Sequence, residues 1–389
     1  MKTREQMAAL LPDPLRMEHV LKLFTEPPVF GGGPEIPALF MTALREMVDF
    51  HIRNNPFYAS YLSYHGFDPA SLKEPEDMIA LPFFHANFFK THVLRSVPEE
   101  KVARHYTSSG TTGQKSQVFF DEWSFNLMEY MVGRTMEARG LITGEPVNNL
   151  LFGYEPYEHS TIGTAMSTVL LSTFAPGRKT FFALRQAGNG KHEFDIYGAI
   201  RVLKEYSEEE IPVRTFGFPA FFHFTLQRMK DLGMKPLKLH PDSVAMFGGG
   251  WKGFADRQIP KPEFYAEIED FLGIPAGRCV DSFGSVEHFV PYMECPDHRF
   301  HLPVWSEVII RDVRTLAPLG YEKPGFLNFI SPYVSCTPAN SLMLGDLGML
   351  HAPGSCGCGI SRPWFEVLGR AGTSKNKSCA IAAAELLRR

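Results

Sequence analysis

The chain has 389 residues, 44% of them hydrophobic and 21% charged, which supports one large folded domain or two modest ones. A formal charge of −4 leaves no basic excess to meet a phosphate backbone, which argues against a nucleic-acid partner. No apolar run reaches the roughly 18 to 20 residues of a membrane span, and the opening MKTREQMAALLPDPL lacks the apolar stretch of a signal peptide, so the expected location is the cytoplasm.

Apolar residues recur at helical spacing over 37–65, which predicts one or two helices. A proline-containing stretch leads through Leu81-Pro82-Phe83-Phe84 to 105–121, HYTSSGTTGQKSQVFFD, which reads as a strand, a small-residue loop and a β-rich exit. Residues 125–141 and 161–174 read as helices on either side of a buried strand at 147–153. Helices at 196–207 and 219–233 follow, then a short strand at 243–247 running into Gly248-Gly249-Gly250, a helix at 261–272, and a strand and turn at 278–284. From about 292 to 368 the segments become short and β-rich. This alternation predicts an α/β protein with a largely parallel sheet, carrying a small late sheet or barrel.

Four segments carry residue types suited to a nucleotide. In Ser108-Ser109-Gly110-Thr111-Thr112-Gly113-Gln114-Lys115-Ser116, glycines let backbone amides turn toward an anion, hydroxyls add donors, and Lys115 adds charge. The spacing is not that of a Walker loop. In the second, Asp281-Ser282-Phe283-Gly284-Ser285-Val286-Glu287-His288, the aromatic and the glycine suit a flat base and Glu287 suits Mg²⁺ beside phosphates. Asp346, in Gly345-Asp346-Leu347-Gly348, offers a carboxylate to a pair of ribose hydroxyls, and Leu368-Gly369-Arg370 supplies a glycine hinge and a cation.

In order and spacing these segments resemble the ATP-binding motifs of the adenylate-forming superfamily, over most of residues 80–370. The resemblance implies an α/β adenylate-forming large domain with mixed sheets and helices, a late β-rich subdomain, and a small mobile C-terminal domain reduced to a short tail. It assigns 108–116 to the triphosphate, Glu287 to magnesium, Asp346 to the ribose and Arg370 to the end of the large domain, with Gly248 to Gly250 beside adenine and the acyl group. Val286 departs from the pattern, because most of the superfamily has threonine there. Only nineteen residues follow Arg370, where other members continue into a lid with a catalytic lysine.

That shortness, with Gly248-Gly249-Gly250-Trp251-Lys252 and the closing Ser374-Lys375-Asn376-Lys377-Ser378-Cys379-Ala380-Ile381-Ala382, resembles the acyl-protein synthetase of the bacterial bioluminescence fatty-acid reductase. The family implies ATP and Mg²⁺ as cofactors, a fatty acid as substrate, Cys379 as acyl acceptor and an acyl reductase as partner. The expected organisation is a core over 1–370, divided into 80–290 and a β-rich 291–368, with 371–389 as the acceptor tail. The 33 phenylalanines suit either a Phe-rich core or an apolar acyl pocket. A carboxylate–CoA ligase of the phenylacetate type is the alternative activity, and a non-catalytic acyl- or nucleotide-binding subunit a further one.

Six cysteines in a chain with no secretory signal point away from a disulfide framework. Cys356 and Cys358, one residue apart, together with Cys295 and His301 from another segment, can supply four ligands to tetrahedral zinc, with His298 as the alternative to His301. The phenylacetate-CoA ligase branch has a similar arrangement. A closed ligand set points to a structural ion.

Overall fold

A computed structural model describes residues 2–107, 116–157, 163–188, 191–251 and 253–371. The chain divides into two compact units. Residues 135–284 and 293–298 form one, and the other described residues form the second.

In the second unit the expected helical stretch is two helices, Glu35–Asn54 and Pro56–Tyr64. The break follows from Pro56, which forces Asn55 into extended backbone. Asn55 then caps the new helix, its side-chain oxygen accepting from the Tyr58 N–H at 2.9 Å, with proline at the first helical position. The late β segments join one seven-stranded sheet. Its strands run in the order Phe300–His301, Trp364–Arg370, Ser341–His351, Pro324–Ile330, Glu307–Arg311 and Pro318–Leu319, all antiparallel. Phe84–His85 adds a short parallel strand beside Ser341–His351. Val102–Thr107 and Gln117–Asp121 pair separately as a two-stranded hairpin.

The first unit is built on a second sheet. Five parallel strands lie in the order Gly177–Gly188, Val147–Tyr154, Val213–Gly217, Val244–Gly248 and Cys279–Phe283. Short strands Lys191–Phe194 and Tyr292–Met293 flank them. The helices Ile196–Ser207, Pro219–Asp231 and Lys261–Leu272 pack on the sheet through Leu203, Phe222, Leu226, Ile268 and Leu272, all buried. In chain order the five parallel strands run second, first, third, fourth, fifth across the sheet. Such doubly wound sheets place ligands outside the carboxyl ends of the strands, where the order reverses. Here that point lies between Val147–Tyr154 and Val213–Gly217.

Among the described residues no helix is long and apolar enough to cross a membrane. His51 is fully buried: its Nε2–H donates to the Val334 carbonyl at 3.0 Å, and Nδ1 accepts from the Ser96 hydroxyl at 2.7 Å. Burial pushes the imidazole down to about 3, whereas the unfolded chain titrates near 6.5. Between those values the unfolded state binds a proton that the folded state excludes, so stability falls as pH falls. From neutral pH to pH 5 this residue alone should remove roughly 2 kcal/mol. Thermal melts of wild type and His51→Gln over that range test it: the variant should lose the acid sensitivity due to this proton, and equal slopes would place it elsewhere.

Candidate nucleotide site and metal centre

The hairpin strands Val102–Thr107 and Gln117–Asp121 flank residues 108–115, so Ser108, Ser109, Gly110, Thr111, Thr112, Gly113 and Lys115 lie outside the described residues, as does Cys379. Ser116, the first residue after that gap, is fully buried. At the hairpin's other end the Asp121 carboxylate accepts from the Ser124 N–H at 2.8 Å and the Ser335 hydroxyl at 2.7 Å. Those bonds hold the hairpin to the start of the helix Glu122–Ala138 and to the buried 331–340 segment.

Ser285 opens a tight turn in the same unit. Its carbonyl accepts from the N–H groups of His288 at 3.2 Å and Phe289 at 2.8 Å. Glu287 lies within the turn and is buried. His288 is buried too, with Nε2 at 2.8 Å from the Tyr292 hydroxyl, and burial lowers its pKa to about 3. Asp346 lies midway along Ser341–His351, directly across from Arg370, the last residue of Trp364–Arg370. Ala371 continues that contact by donating to the Gly345 carbonyl at 2.8 Å. Burial raises the Asp346 carboxyl above its ordinary range; the Arg370 guanidinium opposes the shift, and the Glu287 charge adds to it. Glu287, Asp346 and Arg370, distant in sequence, therefore share one electrostatic neighbourhood within this unit. Two carboxylates and a guanidinium within reach of one another's charge suit a ligand that carries hydroxyls, phosphates and a cation together.

The other unit holds Gly248, Gly249, Gly250, Phe283 and Gly284 at the carboxyl ends of neighbouring parallel strands. Gly249 and Gly250 have φ of 76° and 67°, and Gly248 leaves no room for a Cβ, which would sit 2.6 Å from Ser282 Oγ. The Ser282 hydroxyl donates to the Phe247 carbonyl at 2.6 Å, tying the two strand ends together. Sequence reading passed over what holds this motif from below. Glu294 is fully buried and accepts from the Tyr265 hydroxyl at 2.9 Å and the Asp281 N–H at 3.0 Å; it also pairs with Lys261, which lies 3.2 Å from Asp281. A lone glutamate in the sequence PYMEC carries no local sign of these partners.

Cys295, His301, Cys356 and Cys358 place one ligand atom each within 4.8 Å of one another, a set able to hold a metal ion. The His301 ring is oriented for the task. Its Nδ1 faces the Arg362 carbonyl at 2.9 Å, and because a carbonyl can only accept, that nitrogen carries the proton. The bare Nε2 then faces Cys358 Sγ at 3.3 Å. His298, the alternative ligand, instead turns Nδ1 to Glu294 at 3.3 Å. The donors are the sulfur and imidazole groups that zinc accepts.

The family model described as "Acyl-protein synthetase, LuxE" matches residues 34–388. The chain belongs to this family. A long-chain-fatty-acid–luciferin-component ligase of Vibrio harveyi is 22% identical over 92% of this chain and 92% of its own length. A phenylacetate-coenzyme A ligase of Thermus thermophilus is 23% identical over 84% of this chain and 68% of its own length. Among solved structures, 2-hydroxyisobutyryl-CoA ligase superposes with a TM-score of 0.65 at 14% identity, covering 92% of this chain and 79% of that one. The fold is therefore the mixed α/β fold of adenylate-forming enzymes, as the motifs implied. This synthetase is an ATP-dependent ligase of the acyl-activating kind, and adenylate-forming enzymes use ATP with Mg²⁺.

Proposed function

We propose that this synthetase joins a fatty acid to AMP and then carries the acyl group on its own cysteine. In the first step a carboxylate oxygen attacks the α-phosphorus of ATP, an acyl–phosphate bond forms, and pyrophosphate leaves. In the second the Cys379 thiolate attacks the acyl carbon, a thioester forms, and AMP leaves. An acyl reductase is the partner that would accept the thioester. In this reading the chemistry runs in the cytoplasm, where ATP is supplied.

The observation that carries the first step is the convergence of Glu287, Asp346 and Arg370 in a member of this family. In this reading Asp346 accepts from both ribose hydroxyls, Glu287 holds magnesium, and Arg370 meets the negative charge of the nucleotide. Ser108 to Ser116, with Lys115, cradle the phosphates, while Gly248 to Gly250, Phe283, Gly284 and Ser285 border the base and the acyl group. Acid-dependent exchange of pyrophosphate into ATP, measured across carboxylic acids of increasing chain length, tests the reading. Exchange strongest with long alkyl acids supports it, and no exchange with any acid would overturn it.

A second reading, a carboxylate–CoA ligase, is favoured by the phenylacetate-coenzyme A ligase relatives. It predicts that turnover beyond acyl-AMP requires CoA, whereas the first reading predicts protein-bound acyl without it.

The metal in this proposal is one structural zinc per chain, held by Cys295, His301, Cys356 and Cys358. Cys356→Ser should release it and lower the melting temperature by several degrees or more, since a structural ion contributes folding free energy directly. Elemental analysis of protein purified without added metal checks this: zinc near one equivalent in wild type and absent in the variant is expected. A stable wild-type preparation free of zinc would remove the assignment.

A further inference from the structure

The hairpin that flanks residues 108–115 is an orphan sheet. Its register runs from Val102 opposite Asp121 to Thr107 opposite Gln117, and among the described residues no third strand pairs with it. A two-stranded ribbon is marginal by itself, so side-chain packing must hold these two strands in place. Asp121 and its serine partners hold the end remote from residues 108–115. Nearer to it, Tyr106 and Phe120 turn inward and are buried. Both rings rest on Phe289: Phe120 at 5.0 Å between centroids and 82° between planes, Tyr106 at 5.9 Å and 31°.

Phe289 closes the turn that contains Glu287. It donates its N–H to Ser285 and has φ of 50°, in the left-handed region that bulky side chains rarely occupy. Glycine or asparagine would suit that backbone better. A phenylalanine kept there against its own preference needs compensating contacts, and the edge-to-face packing with the hairpin supplies them.

We propose that Phe289 is a positioning residue that holds the Glu287 turn in place by packing it on the hairpin strands Val102–Thr107 and Gln117–Asp121. The inference rests on the reading of Glu287 as the magnesium carboxylate. Phe289 does not touch the nucleotide in this account. It fixes the turn that carries Glu287, so that the carboxylate meets the cation beside the phosphates in one position.

The test is pyrophosphate-exchange kinetics on the full chain. Phe289→Leu should raise the KM for ATP and the magnesium concentration at half-saturation by roughly fivefold to tenfold, the size expected for losing one aromatic pair. The KM for the acid should not change, and Phe289→Tyr should retain wild-type values. Phe120→Leu probes the same contact from the hairpin side and keeps the test open if Phe289→Leu folds poorly. Combined, the two leucine substitutions should cost little more than either alone. Lowered thermal stability with unchanged KM and magnesium midpoint in both single variants would overturn the proposal, as would fully multiplicative effects in the double variant. Glu287→Gln, run in parallel, separates the two readings. A shifted magnesium midpoint there, with none in Phe289→Leu or Phe120→Leu, sinks the positioning role alone; no shift in Glu287→Gln sinks the carboxylate assignment beneath it.

Discussion

Asp346→Ala should abolish acid-dependent pyrophosphate exchange while leaving the protein folded. The side chain lies in a strand paired on both sides, Pro324–Ile330 and Trp364–Arg370, so backbone ladder bonds survive the truncation. What goes, in the proposed reading, is the carboxylate that accepts from both ribose hydroxyls, each charge-assisted bond contributing roughly 1.5 to 3 kcal/mol. Losing both corresponds to a fall in exchange of about a hundredfold or more. Burial raises the Asp346 carboxyl, and Glu287 adds to that rise, so removal of the charge also relieves a local repulsion. The variant should melt within a few degrees of wild type. Exchange at the wild-type rate would take Asp346 out of the nucleotide site, whereas loss of exchange together with loss of the fold would be answered by Asp346→Asn, which keeps the side-chain volume.

The other large effect is expected at Cys379, outside the described residues. Cys379→Ser should continue to make acyl-AMP, and pyrophosphate exchange should persist. With labelled fatty acid and ATP, the hydroxylamine-sensitive label on the protein should disappear. The residues that follow, AIAAAELLRR, are mostly strong helix formers by type. Lys375 and Lys377, close by in sequence, bring positive charge that favours the thiolate that attacks an acyl carbon. The buried Cys279 and Cys336 make poor competitors, since burial raises both thiols well above their ordinary range. Nine residue steps from Arg370 span at most roughly 30 Å, a reach compatible with delivery to a partner. A thioester label surviving in Cys379→Ser would assign the acceptor to another cysteine.

The sequence was legible wherever a signal is local. Helical periodicity placed Ile196–Ser207 and Lys261–Leu272 within a residue or so, and apolar runs marked Val147–Tyr154 and Val244–Gly248. It was silent where burial runs against residue type. The strand Val213–Gly217 is wholly buried yet contains Arg214, whose Nη2 donates to the Leu141 carbonyl, a partner far away in the chain. The long strand Gly177–Gly188 is mostly exposed and rich in polar residues, so neither an alternating nor an apolar pattern announces it. The short N-terminal helix Glu18–Thr25 was missed too, although four of its residues are buried.

The same division holds for chemistry. Motif order, glycine placement and cysteine spacing are properties of the linear chain, and they sufficed to point to the adenylate-forming fold and the acyl-protein synthetase family. Which distant groups meet was decided by strand pairing. Asp346 faces Arg370 because two antiparallel strands align them, and the Glu287 charge reaches Asp346 only once its turn is folded. His301 rather than His298 joins the cysteines because the Arg362 carbonyl fixes one ring while Glu294 takes the other. Phe289 gains its meaning from a hairpin far earlier in the chain. Sequence patterns record what each residue needs from its immediate neighbours; the electrostatic and packing partners of a site come from segments that only the folded backbone brings together.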